Sequence, residues 1–408
     1  MIKRKKFDDL MSQKDSKKVS LVIGPRQVGK TTLLKSVYDR IKTKAVFLDL
    51  DVFSNFERVS TYENLLNFLR LNGYREDQRD FFYLSLDEFQ RYGDLSRIMK
   101  NVFDNHDNIK IYASGSSSLK NDIQESLAGR KIISHLYPLD FEEFLWFKGK
   151  EMPPIDELEG EGLENNTVEL LNLLDEFLVY GGYPEVVLSE NKKEVFAGIF
   201  DLYVKKDLVE YLKIDKVIGV KNLIEHLAIN NGQKLNYEKI SDVTLLDNRS
   251  ARDYIEKETF LICLARPFFT NKNKEIVKMP KAYFLDNGVR NYFVNNFNNT
   301  NLREDAGFLF EGFVVSELIK SGIDPTYIKF WKTKSQSEVD IVVDLVSEQV
   351  PIEVKFKNKP KTRDFSGVNA FLSNYPNVKR SYVVNKGIQK QIGKVGMTLP
   401  YNFGKRFK

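Results

Sequence analysis

The chain has 408 residues, more than one small hydrophobic core accommodates, and this length suggests about two to three domains. Its composition, 42% hydrophobic and 29% charged, is typical of a soluble globular protein, and no apolar run approaches the roughly 18 residues of a membrane span. Cys263 is the only cysteine, so a disulfide within the chain is excluded. We therefore expect a reducing, cytoplasmic location without a membrane partner, and no structural zinc site, because the chain has only three histidines.

The net charge of +5 is unevenly distributed along the chain. Residues 355–408 contain thirteen Lys or Arg and a single acid, Asp364, so this segment carries +12 and the residues before it carry −7. A basic segment of this kind is expected where a protein contacts a nucleic-acid backbone. A solvated, Lys-rich surface has the same composition, and both interpretations stay open.

Apolar strands alternate with helical patterns over the first 150 residues. Val19–Ile23 is a continuous apolar strand, followed by a Gly-rich turn and a helix over residues 31–42. Further apolar runs lie at residues 45–50, 81–86 and 109–113. This alternation predicts an α/β fold with a parallel sheet that is covered by helices on both faces.

The later parts of the chain suggest further domains. Residues 152–166 are acidic with Pro and Gly and predict a surface loop or linker, and residues 167–214 are helical with an interruption at Gly181-Gly182-Tyr183-Pro184. Helices at 223–230, 237–243 and 250–258, with a hairpin within 260–284, outline a winged helix-turn-helix. An apolar helix from Gly307 and strands at 339–343 and 352–356 follow. The expected domains are residues 1–150, 151–215, 216–300 and 301–408.

The segment GPRQVGKT, from Gly24 to Thr31, matches the phosphate-binding pattern G-x-x-x-x-G-K-[ST] without a mismatch. Glycines let the backbone turn sharply so that its N–H groups point at phosphate oxygens. Lys30 supplies a charge for the β- and γ-phosphates, Thr31 offers a hydroxyl to Mg²⁺, and the following helix directs its positive end at the anion. The predicted contacts are Gly24, Pro25, Arg26, Gln27, Val28, Gly29, Lys30, Thr31 and Thr32, with ATP and Mg²⁺ as cofactors.

The predicted strand FFYLSLDE ends in two acids, Asp87 and Glu88, about 57 residues after Lys30. Asp87 is expected to hold Mg²⁺ through water, and Glu88 to orient or activate the attacking water. Ser114, after the next strand, is a candidate to reach the γ-phosphate or that water, although turn chemistry explains it equally well. Arg130 is a candidate to stabilise charge on the transferred phosphate, or else to pair with an acid between domains.

These motifs together resemble those of a family of archaeal and bacterial AAA-like ATPases, in which a P-loop domain is joined to a winged helix and a C-terminal domain of the PD-(D/E)xK nuclease type. The matching segments, in the order of the family, are VIGPRQVGKTTLL, LSLDEFQ, ASGSSS, LAGRK, YPLDFEEFL, YGGYPEVV, YVKKDL, YFLDNGV and SEVDIVVD…PIEVKFK. The resemblance spans nearly the whole chain. It implies ATP binding and slow hydrolysis by the N-terminal domain, followed by a helical lid, a winged helix and a nuclease-like α/β domain. The segment around 138–144 is expected to serve packing.

The resemblance also directs attention to a group of charged residues near the C-terminus. Asp340 on one strand lies beside Glu353 and Lys355 on the next, and nucleases of this fold use such a set with Mg²⁺. Glu311 falls on an apolar helical stripe, where a carboxylate requires a partner or a metal. We expect a second metal site at Glu311, Asp340 and Glu353 with Lys355, either active in cleavage or silent. The outer face of two alternating strands explains the same residues without any metal.

Three function hypotheses follow. The first is an ATP-dependent switch, with nucleotide between the P-loop domain and the region of Tyr183-Pro184, that presents the C-terminal domains to DNA or to another partner. The second is an ATP-regulated, metal-dependent endonuclease. The third is an interaction protein, as a homo-oligomer or with a protein partner, whose nucleotide only stabilises the fold. Arg249, Arg252 and Lys257 on the third helix of the winged helix are candidates for phosphate contacts, or else form a solvated face.

Overall fold

The structure, a computed structural model, describes residues 3–116, 126–152, 164–202, 217–257, 260–271, 273, 275, 278–401 and 403–407. The described residues divide into two compact units, one up to Tyr137 and one from Pro138 onward. Three predicted features lie partly or wholly outside the described residues: the linker at 152–166, the end of ASGSSS and the YVKKDL segment. No helix within the described ranges is long and apolar enough to cross a membrane.

The first unit is built around a parallel sheet. Its strands are β1 (Val19–Ile23), β2 (Ala45–Asp49), β3 (Phe82–Asp87), β4 (Ile109–Gly115) and β5 (Lys131–His135), in the order β2-β3-β4-β1-β5. Its helices are α1 (Lys6–Ser12), α2 (Lys30–Ile41), α3 (Phe53–Val59), α4 (Tyr62–Leu71) and α5 (Leu95–Asn105). Strands β1 and β4 are buried along their whole length. A parallel sheet with fully buried strands confirms the predicted α/β architecture.

The second unit begins with helices: α6 (Phe141–Phe147), α7 (Glu164–Tyr180), α8 (Pro184–Leu188), α9 (Lys192–Leu202), α10 (Val217–Ile229), α11 (Tyr237–Thr244) and α12 (Asn248–Lys257). Helix α6 starts with a capping box, in which the Asp140 carboxylate accepts from the Glu143 amide at 2.9 Å. Glu317 accepts from the Phe141 amide at 3.2 Å. The segment around 138–144 is therefore a helix start whose aromatic residues pack inward, as expected for a packing role.

The remainder of this unit forms one mixed sheet of eight strands. They are β6 (Ile262–Pro267), β7 (Lys281–Phe284), β8 (Ile328–Lys332), β9 (Glu338–Asp344), β10 (Gln349–Val354), β11 (Ser381–Val384), β12 (Lys390–Ile392) and β13 (Val395–Thr398), in the order β12-β13-β11-β10-β9-β8-β6-β7. Its accompanying helices are α13 (Asn287–Phe293), α14 (Ala306–Lys320) and α15 (Ser366–Asn374). Helix α14 is buried on nearly every side, so it is a core helix rather than an amphipathic surface helix.

The hairpin predicted as a wing is part of this sheet. Strands β6 and β7 pair with each other, and β6 also pairs in parallel with β8 at Arg266 and Pro267. The three helices α10, α11 and α12 lie close to their predicted positions. Because backbone hydrogen bonds cross from residues 262–267 to 328–332, the described structure has a continuous sheet across the predicted boundary near residue 300.

Candidate nucleotide-binding site

The phosphate loop lies between the buried end of β1 and the start of α2. A Cβ added to Gly24 would lie 2.1 Å from the carbonyl oxygen of Leu136, so only glycine fits at the beginning of the loop. Gln27 and Gly29 have positive φ angles of 60° and 93°, and Gly29 caps α2 in the left-handed region. The loop thus turns sharply into a helix N-terminus, the arrangement that directs backbone N–H groups at an anion.

Lys30 is folded back into this loop. Its ammonium group donates to the carbonyl oxygens of Gly24 at 3.1 Å and Pro25 at 2.7 Å, and the residue is buried. Thr31 is half-buried and Thr32 exposed in the first turn of α2. The charge is therefore held at the centre of the loop. On binding, the oxygens of a phosphate would replace these carbonyl groups as the hydrogen-bond partners of Lys30.

Asp87 and Ser114 meet at the carboxyl end of the sheet. Leu86 pairs with Ala113 and Val22 pairs with Ser114, so Asp87 lies two strands, roughly 10 Å, from β1. The Ser114 hydroxyl donates a short hydrogen bond to Asp87 Oδ1. Asp87 is almost completely buried and has no ion-pair partner among the described residues. A buried carboxylate bonded to neutral donors is a suitable place for a cation and its water.

Glu88 has a left-handed backbone, with φ of 53°, which is uncommon for a residue with a side chain. The side-chain amide of Gln90 donates to Glu88 Oε2 in a short hydrogen bond, and its oxygen accepts from the Ser116 amide at 3.2 Å. Backbone strain of this kind persists where surrounding contacts fix it, and it concentrates at functional sites. Gln90 is an additional residue of this site, and its only sequence signal is its position in the LSLDEFQ motif.

The structure does not bring Arg130 to this site. Arg130 precedes β5, and its carbonyl oxygen accepts from the Val19 amide at the opposite end of β1 from Gly24. A strand of five residues spans roughly 16 Å. The Arg130 guanidinium instead forms two hydrogen bonds with Asp104, at 2.7 and 3.2 Å. The predicted catalytic role of Arg130 is therefore wrong for the phosphate loop of its own chain, and its acidic partner lies within the same unit.

A cavity of about 510 Å³ lies beside the first turns of α2. It is lined from the N-terminal segment by Lys3, Arg4, Phe7 and Asp8, and from α2 by Thr32, Leu33, Ser36, Asp39 and Arg40. Its volume is in the range of small-molecule sites, and Phe7 and Leu33 provide apolar surface among polar groups. The cavity adjoins the phosphate loop through Thr32.

The charged residues of the C-terminal sheet also lie together. Lys355 bonds to Glu353 Oε1 at 2.5 Å and lies 3.6 Å from Asp340 Oδ2, which accepts from the Val354 amide at 2.8 Å. Glu353 Oε2 is buried and has no hydrogen-bond partner among the described residues. Burial raises the pKa of Glu353, and the negative charge of Asp340 raises it further. Lys355 thus supplies a positive charge between these two acids.

Glu311 belongs to a neighbouring network. It accepts a hydrogen bond from the Tyr283 hydroxyl, and Lys281 lies 3.5 Å away while also bonding Glu338 at 2.9 Å. Burial raises the pKa of Glu311, and Asp340 contributes in the same direction. No three histidine, cysteine or carboxylate side chains in the described ranges are arranged to hold a metal ion. Lys281 and Lys355 lie among Glu311, Asp340 and Glu353, and a metal at these three acids stays a prediction.

The cations of the third helix, α12, differ in their surroundings. Arg249 and Arg252 are both exposed, and Arg252 lies over the ring of Tyr237 with 4.8 Å to its centroid. The side chain of Lys257 lies outside the described residues. Both arginines therefore lie on the surface, and Arg252 also contacts an aromatic ring of α11.

Comparisons with known proteins agree with the geometry of the first unit. Residues 16–145 match a family model described as an AAA domain. Residues 171–300 and 306–401 match two further models, each described as a domain of unknown function (DUF8612 and DUF4143).

Relatives are found in bacteria and archaea. The chain is 24% identical over 395 residues to an uncharacterized protein of Haemophilus influenzae, covering 93% of this chain and 92% of that protein. It is 26% identical over 344 residues to an uncharacterized protein of Methanocaldococcus jannaschii, covering 80% and 72%. A solved structure, the Walker-type ATPase of Pyrococcus abyssi, aligns with a TM-score of 0.46 and 12% identity over 72% of this chain and 96% of that one. From the family match and the phosphate loop together, residues 16–145 are an AAA-like domain of the P-loop type.

Proposed function

We propose that the chain is an ATP-binding and slowly ATP-hydrolysing switch that acts with DNA through its second unit. The observation that carries the proposal is the position of Lys30, buried in a glycine-shaped loop at a helix N-terminus. This arrangement recognises the phosphates of a nucleotide by charge and by backbone N–H groups. The adjoining cavity at Thr32 has the size for the nucleoside.

The residues beside the loop suit hydrolysis. Thr31 and the buried Asp87 offer oxygen ligands for Mg²⁺, which when bound neutralises phosphate charge. Ser114 orients Asp87 by its hydrogen bond. Glu88 is the general base of the proposal, since its carboxylate lies at the strand end next to Asp87. In this structure Gln90 donates to Glu88 Oε2, and the other carboxylate oxygen can accept a proton from water.

DNA as the partner is supported by free cations in the second unit. Several cations of residues 355–408 are paired: Lys355 with Glu353, Lys357 with Asp364, Arg380 with Glu348 and Lys405 with Glu142. Lys359, Lys361 and Arg363 are exposed and have no ion pair among the described residues. Exposed cations on one loop suit a phosphate backbone.

The proposal is tested with the parent and with Glu88→Gln. We expect the parent to hydrolyse ATP slowly, and Glu88→Gln to bind ATP normally while its turnover falls by about 10²-fold or more, because the shape is kept and the base is lost. DNA binding is then measured for both proteins with and without ATP. Equal ATP turnover by both proteins would show that Glu88 is not the general base. Equal DNA affinity with and without ATP would contradict the proposed switch.

The endonuclease hypothesis receives less support, because Lys355 and Lys281 already pair with acids that a metal would need. Titration of the whole chain with Mn²⁺, for the parent and Asp340→Ala, tests it together with a plasmid-nicking assay. Metal binding that is lost in Asp340→Ala, with nicking by the parent alone, would establish the nuclease. The third hypothesis, a purely structural nucleotide, would be supported if the parent binds ATP without any turnover.

A further inference from the structure

Arg4 joins the N-terminal segment to the phosphate loop. Its Nη1 donates to the carbonyl oxygen of Val28 at 2.6 Å, and its Nη2 donates to the carbonyl oxygen of Tyr137 at 2.8 Å. The side chain is buried, and Nη1 lies 3.7 Å from the position that a Cβ on Gly29 would occupy. One planar guanidinium therefore holds two backbone segments that are far apart in sequence.

The bond to Val28 fixes the orientation of one peptide group in the loop. In a trans peptide the C=O and the following N–H point in opposite directions from one rigid plane. Because Arg4 holds the Val28 carbonyl, the Gly29 N–H of the same peptide must point away from Arg4. Gly29, with a φ of 93°, would otherwise be among the most freely rotating residues of the loop.

The second bond connects this peptide to a rigid support. Leu136, next to Tyr137, donates a hydrogen bond from its amide N–H to the Ile23 carbonyl oxygen at 2.9 Å. The carbonyl oxygen of Leu136 packs closely against Gly24. The beginning of the loop is thus fixed by Leu136 directly, and its end is fixed through Arg4 to the adjacent Tyr137. Both ends of the phosphate loop are therefore held by the same short segment after β5.

We propose that Arg4 is a positioning residue of the nucleotide site, which aims the Gly29 N–H at the phosphates by holding the Val28 carbonyl. The inference rests on the proposed function, since it requires a nucleotide in the loop. Arg4 also lines the cavity beside Thr32, so the same side chain connects the space for the nucleoside to the loop for the phosphates. A lysine cannot replace it, because only the forked guanidinium can reach two carbonyl oxygens with fixed geometry.

The test compares Arg4→Gln and Arg4→Lys with Lys6→Gln. Lys6 is the control because it is a cation on α1 that pairs with Asp9 on the surface and does not line the cavity. We expect Arg4→Gln to raise the Kd of ADP and the KM of ATP by about tenfold or more, the effect of losing a hydrogen bond from a charged group. We expect the affinity for adenosine, measured by competition, to stay within about threefold, because adenosine has no phosphate for the amide to bind. Lys6→Gln should match the parent.

Each outcome decides between a positioning role and a structural one. An equal loss for ADP and adenosine, or unchanged ADP binding by folded Arg4→Gln, would overturn the inference while the parent still binds nucleotide. If Arg4→Gln does not fold, Arg4→Lys answers the same question. It keeps the charge, and full ADP affinity in that variant would show that charge suffices and bridging does not matter. No nucleotide binding by the parent would overturn the proposed function, and this inference with it.

Discussion

Lys30 shows how the phosphate loop keeps its shape around a central charge. Its ammonium group satisfies the carbonyl oxygens of Gly24 and Pro25, so a buried cation has hydrogen-bond partners within the loop. A phosphate must compete with these bonds, and it does so with full negative charges in place of carbonyl dipoles. The loop is therefore preorganised for an anion.

Lys30→Ala removes this charge together with its two hydrogen bonds to the loop carbonyls. We expect the Kd of ATP, measured by calorimetry, to rise by about 100-fold or more, because charge-assisted hydrogen bonds to the β- and γ-phosphates are lost. Lys35→Ala is the control, since Lys35 is exposed on the same helix and lies over the ring of Phe47. Equal affinity of Lys30→Ala and the parent would place the nucleotide elsewhere.

Lys110 is a second buried lysine, at the other end of the sheet. It donates to the Lys18 carbonyl and to the Ser20 hydroxyl at 2.8 Å, and its side chain is fully buried. Burial lowers the pKa of Lys110 from its ordinary value of 10.5 to about 7. Unfolding therefore takes up a proton between these pH values, and the folded protein gains stability as the pH rises above 7.

We expect the free energy of unfolding of the parent to rise by about 2 kcal/mol between pH 7 and pH 9 through this residue. The contribution is lost as the pH falls through 7, where the buried amine must become charged. Lys110→Met removes the titrating group, so chemical denaturation at several pH values should show a flatter profile. The surface substitution Lys14→Met should keep the pH profile of the parent. If Lys110→Met shows the same pH dependence of its unfolding free energy as the parent, the prediction is contradicted.

At the scale of elements, two sequence motifs of the second unit meet in one contact. Asp286 caps α13 by accepting from the Val289 amide at 3.1 Å, and its other oxygen accepts from the Gly182 amide at 2.7 Å. Gly181 ends α7 with a φ of 67°. A Cβ on Gly181 would lie 2.0 Å from the Asp286 carboxylate, so glycine is required by close approach as well as by its backbone angle. The interruption at Gly181-Gly182 is therefore the end of α7, which packs against the N-terminus of α13 through Asp286.

Gly181→Ala is expected to destabilise the chain by about 2–4 kcal/mol, because the new methyl group displaces a buried carboxylate that has two hydrogen bonds. Gly149→Ala is a matched control. Gly149 follows α6 with a φ of 69°, but nothing lies within 4 Å of its Cβ position. It should therefore cost only about 1–2 kcal/mol for the left-handed backbone. Equal losses of unfolding free energy in the two variants would show that the contact with Asp286 is unimportant.

At the scale of the whole molecule, charge is unevenly distributed along the chain. The excess of +12 lies in residues 355–408, yet several of these cations pair with acids of the second unit. Lys359, Lys361 and Arg363, exposed within five residues, are part of what remains available for a polyanion. The net charge of the segment thus overstates its free charge, because pairing reduces it.

Replacing Lys359, Lys361 and Arg363 together by Gln should weaken DNA binding and reduce its salt dependence. Each phosphate contact adds about 0.9 to the slope of log affinity against log salt, so the slope should fall by up to about 2.7. Replacing Lys14, Lys42 and Lys44 in the first unit removes the same charge and is the control. Binding titrations at several salt concentrations measure the slope, and equal slopes for both triple variants would exclude this loop from the interface.

The sequence predicted most of what depends on neighbours along the chain. The strand Val19–Ile23, the glycines of the loop, Lys30 and the strand ending at Asp87 are where the pattern placed them. Helices α10, α11 and α12 were found for the same reason, because their periodicity and capping are local. The first helix, α1, and strand β5 were missed, since both are short and carry many charged or polar residues.

By itself, the sequence determined the α/β class and the phosphate loop, because a strand, a glycine turn and a helix start are specified by residues close in the chain. Only the tertiary structure decided what depends on distant partners. It placed Arg130 at the end of the sheet opposite the phosphate loop, joined the predicted wing to β8, and paired Asp340 and Glu353 with Lys355. It also brought Arg4 to Val28 and Tyr137. Such contacts join residues far apart in sequence, and the strand order and burial of the folded chain set them.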